Sequence, residues 1–131
     1  MYVRFVLPRK NADSGVSDGV FKAAYSLQRS GILAAHEDDE ISALLDWFDD
    51  HLERPTRFNR TKSKGYVHRA AKGISWFKPT ATDHIHRMRR LIVLLEEHGH
   101  RVTMLKTRNP GYVVYEDDHQ VVAEPFSDTK A

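Results

Sequence analysis

The chain has 131 residues, 40% of them hydrophobic and 29% charged, with a formal net charge of +2. These are ordinary values for one globular domain and suggest neither a disordered nor a membrane class. The absence of cysteine removes disulfides, thiolate metal sites and a cysteine nucleophile, and it fits a reducing compartment.

Charge is unevenly placed. Gly31 to Glu53 holds eight acids and no Lys or Arg, whereas Arg54 to Thr82 holds eight Lys or Arg and no acid. Such blocks either polarise the surface or face each other and cancel. The N-terminal run MYVRFVLPRK is too short and too charged for a signal peptide or a membrane span. No longer apolar run occurs, so a cytoplasmic location without membrane partners is expected.

In chain order, Tyr2 to Leu7 reads as a strand stopped by Pro8. Ser17 or Asp18 is placed to cap a first helix, with Val20, Ala24 and Leu27 on its apolar face and Gly31 just past its end. A second helix opens at Asp38 and Asp39, where negative charge is favoured. It carries an apolar stripe of Ile41, Leu44, Leu45, Phe48 and Leu52, and Pro55 stops it. Residues 54–72 lack periodicity and read as a long basic loop, which is uncommon inside a compact domain unless it serves a function.

GISWF at 73–77 is a short strand with Ile74 and Trp76 on one face and Phe77 on the other. A third helix starts at Thr80 or Thr82, with Asp83 completing a capping box. Its buried stripe is Ile85, Met88, Leu91, Ile92 and Leu95, with Leu94 at the edge and Gly99 at the end. Arg101 to Thr107 reads as a strand and Asn109-Pro110-Gly111 as a turn. Tyr112 to Glu116 and Gln120 to Glu124 then form a hairpin with a three-residue loop.

The order β-α-α-loop-β-α-β-β-β predicts one α+β domain over residues 1–131. The expected sheet is mixed and has four or five strands, with three helices mainly on one face. A crossover over residues 73–107 and a final antiparallel meander complete it.

The basic loop carries the leading functional signal. Arg54, Arg57, Arg60, Lys62, Lys64, Arg69, Lys72 and Lys78 interleave with Tyr66 and Trp76. Cations release counterions from a phosphate backbone, and exposed rings stack on unpaired bases. RNA or single strands suit this pattern better than a duplex groove. The competing explanation is a solvated loop whose cations neutralise the acidic helix.

Asp46, Asp49, Asp50 and Glu53 lie on the polar side of the second helix. They offer an alternative surface for a basic protein partner, as in an inhibitor or immunity-type module. His84 falls inside the apolar arc of the third helix. It reads as a buried histidine bonded to the backbone or, in a third reading, as the general acid–base of a small ribonuclease with His68 and the basic loop. His84 and His86 point apart on a helix and cannot share a metal. No metal or cofactor is expected, and a monomer and a homodimer are equally compatible with the sequence.

GYVVYEDDHQVVAEP at 111–125 resembles the last strands of RelE-like ribonuclease toxins in its alternating Val and Tyr. The basic catalytic residues of those strands are missing here, and Val113, Val114, Val121 and Val122 offer no chemistry. No family membership is read from it, and the expectation is a binding or accessory protein rather than an enzyme.

Overall fold

A computed structural model describes residues 1–10, 17–54, 73–126 and 129–131, with the main chain alone at 9 and 10. The α+β class holds, and so does the expected element order apart from one short added strand at Ser17–Gly19, which brings the sheet to six strands. Strand β1 (Tyr2–Lys10) and a short β2 (Ser17–Gly19) precede α1 (Val20–Ser30) and α2 (Ala35–His51). After β3 (Ile74–Phe77) come α3 (Thr82–Glu97), β4 (Thr103–Thr107), β5 (Tyr112–Glu116) and β6 (Gln120–Glu124).

Among the described residues the strands form one six-stranded sheet, and each pairing in it is antiparallel. The expected mixed sheet is therefore corrected, and so is the final meander. Of the last three strands, β5 and β6 pair as a hairpin, and β4 pairs with β1 instead of β5. Val3 faces Phe77 of β3 and Lys106 of β4, so β1 lies between those two strands. Both are antiparallel to β1 and hence run in the same direction. The segment β3–α3–β4 is thus a crossover split by the N-terminal strand.

Strand β1 runs past Pro8 to Lys10. The proline lies where pairing with β2 shifts register, between Val6 and Lys10, and a missing N–H is tolerated at such a place. Val6 pairs with both Gly19 and Thr103, which puts β2 on the same side of β1 as β3. Between the β3 and β2 pairings, no strand among the described residues lies beside Arg4 and Phe5 on that side, and a cleft lies there.

Two of the helix starts differ from expectation. Ser17 and Asp18 belong to β2, and Gly19 is the cap of α1, with no side-chain bond to the helix. The Thr80–Asp83 box does not form either, since Ala81 occupies the cap position of α3. At α2, the Glu37 carboxylate accepts from the Ala34 N–H at 3.1 Å, which is half of a capping box. Gly31 and Gly99 follow α1 and α3 with φ of 75° and 87°, as the helix ends require.

The helices cover one face of the sheet. Val3, Phe5 and Phe77 pack there with Leu27 of α1, Ile41, Leu45 and Phe48 of α2, and Met88, Leu91 and Leu95 of α3. Leu94 is buried as well, while Ile85 and Ile92 are only partly so, which turns the α3 stripe slightly from its expected centre. On the opposite face Trp76 and Val121 pack with Tyr2, Ile74, Leu105 and Ala131. The expected division of Trp76 and Phe77 between the two faces holds. Among the described residues, no helix is long and apolar enough to cross a membrane.

Candidate functional site

Of the expected nucleic-acid contacts, Arg57, Arg60, Lys62, Lys64, Tyr66, Arg69 and Lys72 lie outside the described residues, as does His68. Three remain. Arg54 is exposed just beyond α2 and donates to Asp49 at 2.7 Å. An exposed pair of this kind contributes at most about 1 kcal/mol and is readily exchanged for a phosphate. Lys78 pairs with Glu116 at 2.6 Å, and that hydrogen bond raises the lysine pKa.

Trp76 is 1% exposed and packs against Val121, so its ring offers no face to a base. Stacking needs an open ring, and Trp76 leaves the contact set for that reason.

The acidic face of α2 is open to solvent, with Asp46, Asp49, Asp50 and Glu53 all exposed. Two of the acids nearer its N-terminus, Glu37 and Glu40, pair with side chains elsewhere in the chain. Arg90 binds the Glu40 carboxylate through two nitrogens. His98 Nε2 meets Glu37 at 2.7 Å, and together with the Ala34 N–H this holds Glu37 below the usual carboxylate range. Glu37 and Glu40 are thus committed to partners on α3 and the turn after it, whereas Asp38 and Asp39 are exposed like the acids of the last two turns.

His84 is 3% exposed, and its Nε2 lies 2.7 Å from the His51 carbonyl. A carbonyl only accepts, so Nε2 carries the proton. The ring stacks on His119 at 4.4 Å and meets the edge of Trp47 at 4.8 Å. Trp47 in turn stacks with His51 at 4.3 Å and lies 4.0 Å from the Arg87 guanidinium. This is the buried, backbone-bonded histidine of the first sequence reading, and only Nδ1 is left for proton exchange. His86 is exposed on the other side of the helix, as its spacing requires. No group of three His, Cys, Asp or Glu able to hold a metal occurs among the described residues.

Burial lowers the His84 pKa below the ordinary 6.5. The folded state thus favours neutral His84. Its contribution to stability is complete above 6.5 and is lost as pH falls through the folded value. Thermal midpoints of wild type and of His84→Gln, measured from pH 7.5 to 5, test this. The advantage of wild type over the variant should be widest at pH 7.5 and should narrow toward pH 5. A constant gap would mean that the histidine charge is accommodated in the fold.

The cleft beside β1 does not follow from any pattern in the sequence. It has a volume of about 300 Å³ and lies between Arg4 and Phe5 of β1, the start of α1, Ser75 and Phe77 of β3, and Gln120 of β6. Arg54 and Gly73 line it as well. Gln120 is 1% exposed and is fully engaged. Its Oε1 accepts from Ser75 Oγ at 2.6 Å, and its Nε2 donates to the Glu53 carbonyl at 2.7 Å. Arg4 donates from one terminal nitrogen to the Ser17 carbonyl at 2.9 Å, while among the described residues its buried Nε has no partner. Burial lowers the Arg4 pKa to about 10. The available signal was Arg4 itself, a lone cation within the apolar run YVRFVL.

No family model matches the chain, and no curated protein or solved structure matches it either.

Proposed function

We propose that this is a small non-enzymatic binding or accessory protein that contacts RNA or single-stranded nucleic acid through the segment 54–78. The supporting observation is the block from Arg54 to Thr82 with eight cations and no acid. Arg54 and Gly73, which flank residues 55–72, line one cleft of the fold. The proposed contacts are Arg54, Arg57, Arg60, Lys62, Lys64, Arg69 and Lys72, with Tyr66 as the stacking ring. Lys78 joins them only by exchanging Glu116 for a phosphate.

Anisotropy of a labelled single-stranded RNA, titrated over a range of NaCl, tests the reading. The slope of log affinity against log salt should be on the order of −0.7 per phosphate contacted. Replacing Arg57, Arg60, Lys62 and Lys64 with Ala should flatten the slope and weaken binding. Tyr66→Ala should cost roughly 1–3 kcal/mol with the slope unchanged, because stacking is not ionic. Absence of binding at low salt would overturn the proposal.

A second reading is favoured by the open carboxylates on α2: a basic protein partner docking on Asp46, Asp49, Asp50 and Glu53. Reversing Asp46, Asp49 and Asp50 to Lys separates the two readings. Capture of such a partner would be abolished, whereas RNA binding would be unchanged or slightly stronger.

A further inference from the structure

We propose that the cleft between β1 and β3 binds a small amphipathic organic anion, an apolar body with one negatively charged head held by Arg4. The cleft shares Arg54 and Gly73 with the nucleic-acid reading, but its charge recognition rests on Arg4 and stands whether or not RNA binds.

A volume of about 300 Å³ lies at the lower end of small-molecule pockets, which are mostly apolar with a few placed polar groups. Here Phe5, Phe21, Phe77, Met88 and Val122 supply apolar walls. Ser75 and Gln120 satisfy each other and the Glu53 carbonyl, so they make no strong demand on a ligand. Arg4 does make one. Among the described residues its guanidinium has no carboxylate partner, a single hydrogen bond to Ser17, and a buried Nε without an acceptor. A half-buried cation without a counter-charge is costly, and an anion placed against the guanidinium offsets part of that cost.

The start of α1 adds to the same preference. Gly19 and Val20 line the cleft. The first turn of α1 contains no acid and its cap provides no side-chain acceptor, so its free N–H groups present partial positive charge. Glu53 is the one carboxylate among the described lining residues, and it is exposed at the rim. Arg54, exposed beside it and paired with Asp49, offsets the Glu53 charge at the rim.

The probe is 8-anilinonaphthalene-1-sulfonate, followed by its fluorescence, against N-phenyl-1-naphthylamine, which has the same body without the sulfonate. The intact chain should bind the sulfonate one to one and at least tenfold more tightly than the neutral compound. Arg4→Met should abolish that preference. Gly19→Asp tests the site without touching Arg4. Gly19 has φ −85° and ψ 166°, and a Cβ built there meets nothing within 4 Å, so an ordinary side chain fits. Aspartate at this position also caps α1 and should not lower the melting temperature. Its carboxylate competes for Arg4 and should weaken sulfonate binding at least tenfold, while Gly19→Asn, of similar size and uncharged, keeps it within threefold. Should Arg4→Met fail to fold, the Gly19 pair decides alone. Equal binding of the two compounds, or a Gly19→Asp variant that binds like Gly19→Asn, would overturn the proposal.

Discussion

Phe48→Ala is expected to cost about 3–5 kcal/mol, the range for deleting a large aromatic side chain from a packed core. Phe48 is 3% exposed and stands where several elements meet. Its ring lies 5.0 Å from Phe21 of α1 and 5.2 Å from Trp47, both edge-on, and 6.5 Å from Phe77 of β3. His84 of α3 is 6.2 Å away. Truncation opens a cavity walled by three helices and a strand, none of which moves in without breaking its own contacts. The lost edge-to-face pairs add to the cost. In a domain of this size the midpoint of thermal unfolding should fall by at least about 10 °C. Asp50→Ala, on the exposed side of the same helix, should stay within about 0.5 kcal/mol. Urea unfolding of the two variants provides the comparison. A loss below about 1 kcal/mol for Phe48→Ala would show that the space collapses and that α2 is not the hub of the core.

The position of Phe48 was legible in the sequence because helical burial is periodic. Ile41, Leu45 and Phe48 recur at intervals of three and four residues, and a period of 3.6 needs no knowledge of the rest of the chain. The β5–β6 hairpin was legible for a similar reason, since its pairing is local and its loop, Asp117 to His119, is short. The partners of β1 were not legible. Val3 meets Phe77 and Lys106, far along the chain, and nothing near Val3 encodes those registers. Sequence neighbours usually pair, so a meander of the last three strands was the economical expectation. The sheet instead places the N-terminal strand inside the β3–α3–β4 crossover, and its antiparallel character follows from that insertion.

The candidate sites divide in the same way. The seclusion of His84 followed from its place in an apolar arc, whereas its stacking on His119 did not. The basic block was visible as composition, but Trp76, counted with it, is drawn into the sheet by a two-residue alternation that competes with the charge pattern. The Arg4 cleft was hidden because it arises from an absence. It exists where β3 and β2 each stop short of covering β1, and that is a property of long-range pairing. A single arginine in a strand was its one trace.

Gly111→Ala is expected to cost on the order of 3 kcal/mol or more, through two separable effects. The first is conformational. Gly111 has φ of 125°, a region that side-chain-bearing residues enter at about 1–3 kcal/mol. The second is contact. A Cβ at this position would lie 2.0 Å from the Glu124 carbonyl oxygen and 2.7 Å from its carbon. Glu124 is paired with Tyr112 at the open end of the β5–β6 hairpin, so the backbone must part there to admit a methyl group. Gly99→Ala is the control. Gly99 also has a positive φ, of 87°, but a Cβ there meets nothing within 4 Å. Its substitution should show conformational strain alone, about 1–2 kcal/mol. Chemical denaturation of both variants isolates the contact as the difference between them, and amide exchange locates it. Gly111→Ala should speed exchange at the Tyr112 end of the hairpin and leave α3 protected, whereas Gly99→Ala should act at the C-terminus of α3. If the two substitutions cost the same, the Glu124 carbonyl yields freely, and the tight approach of the Asn109–Gly111 turn to β6 does not hold the hairpin in register.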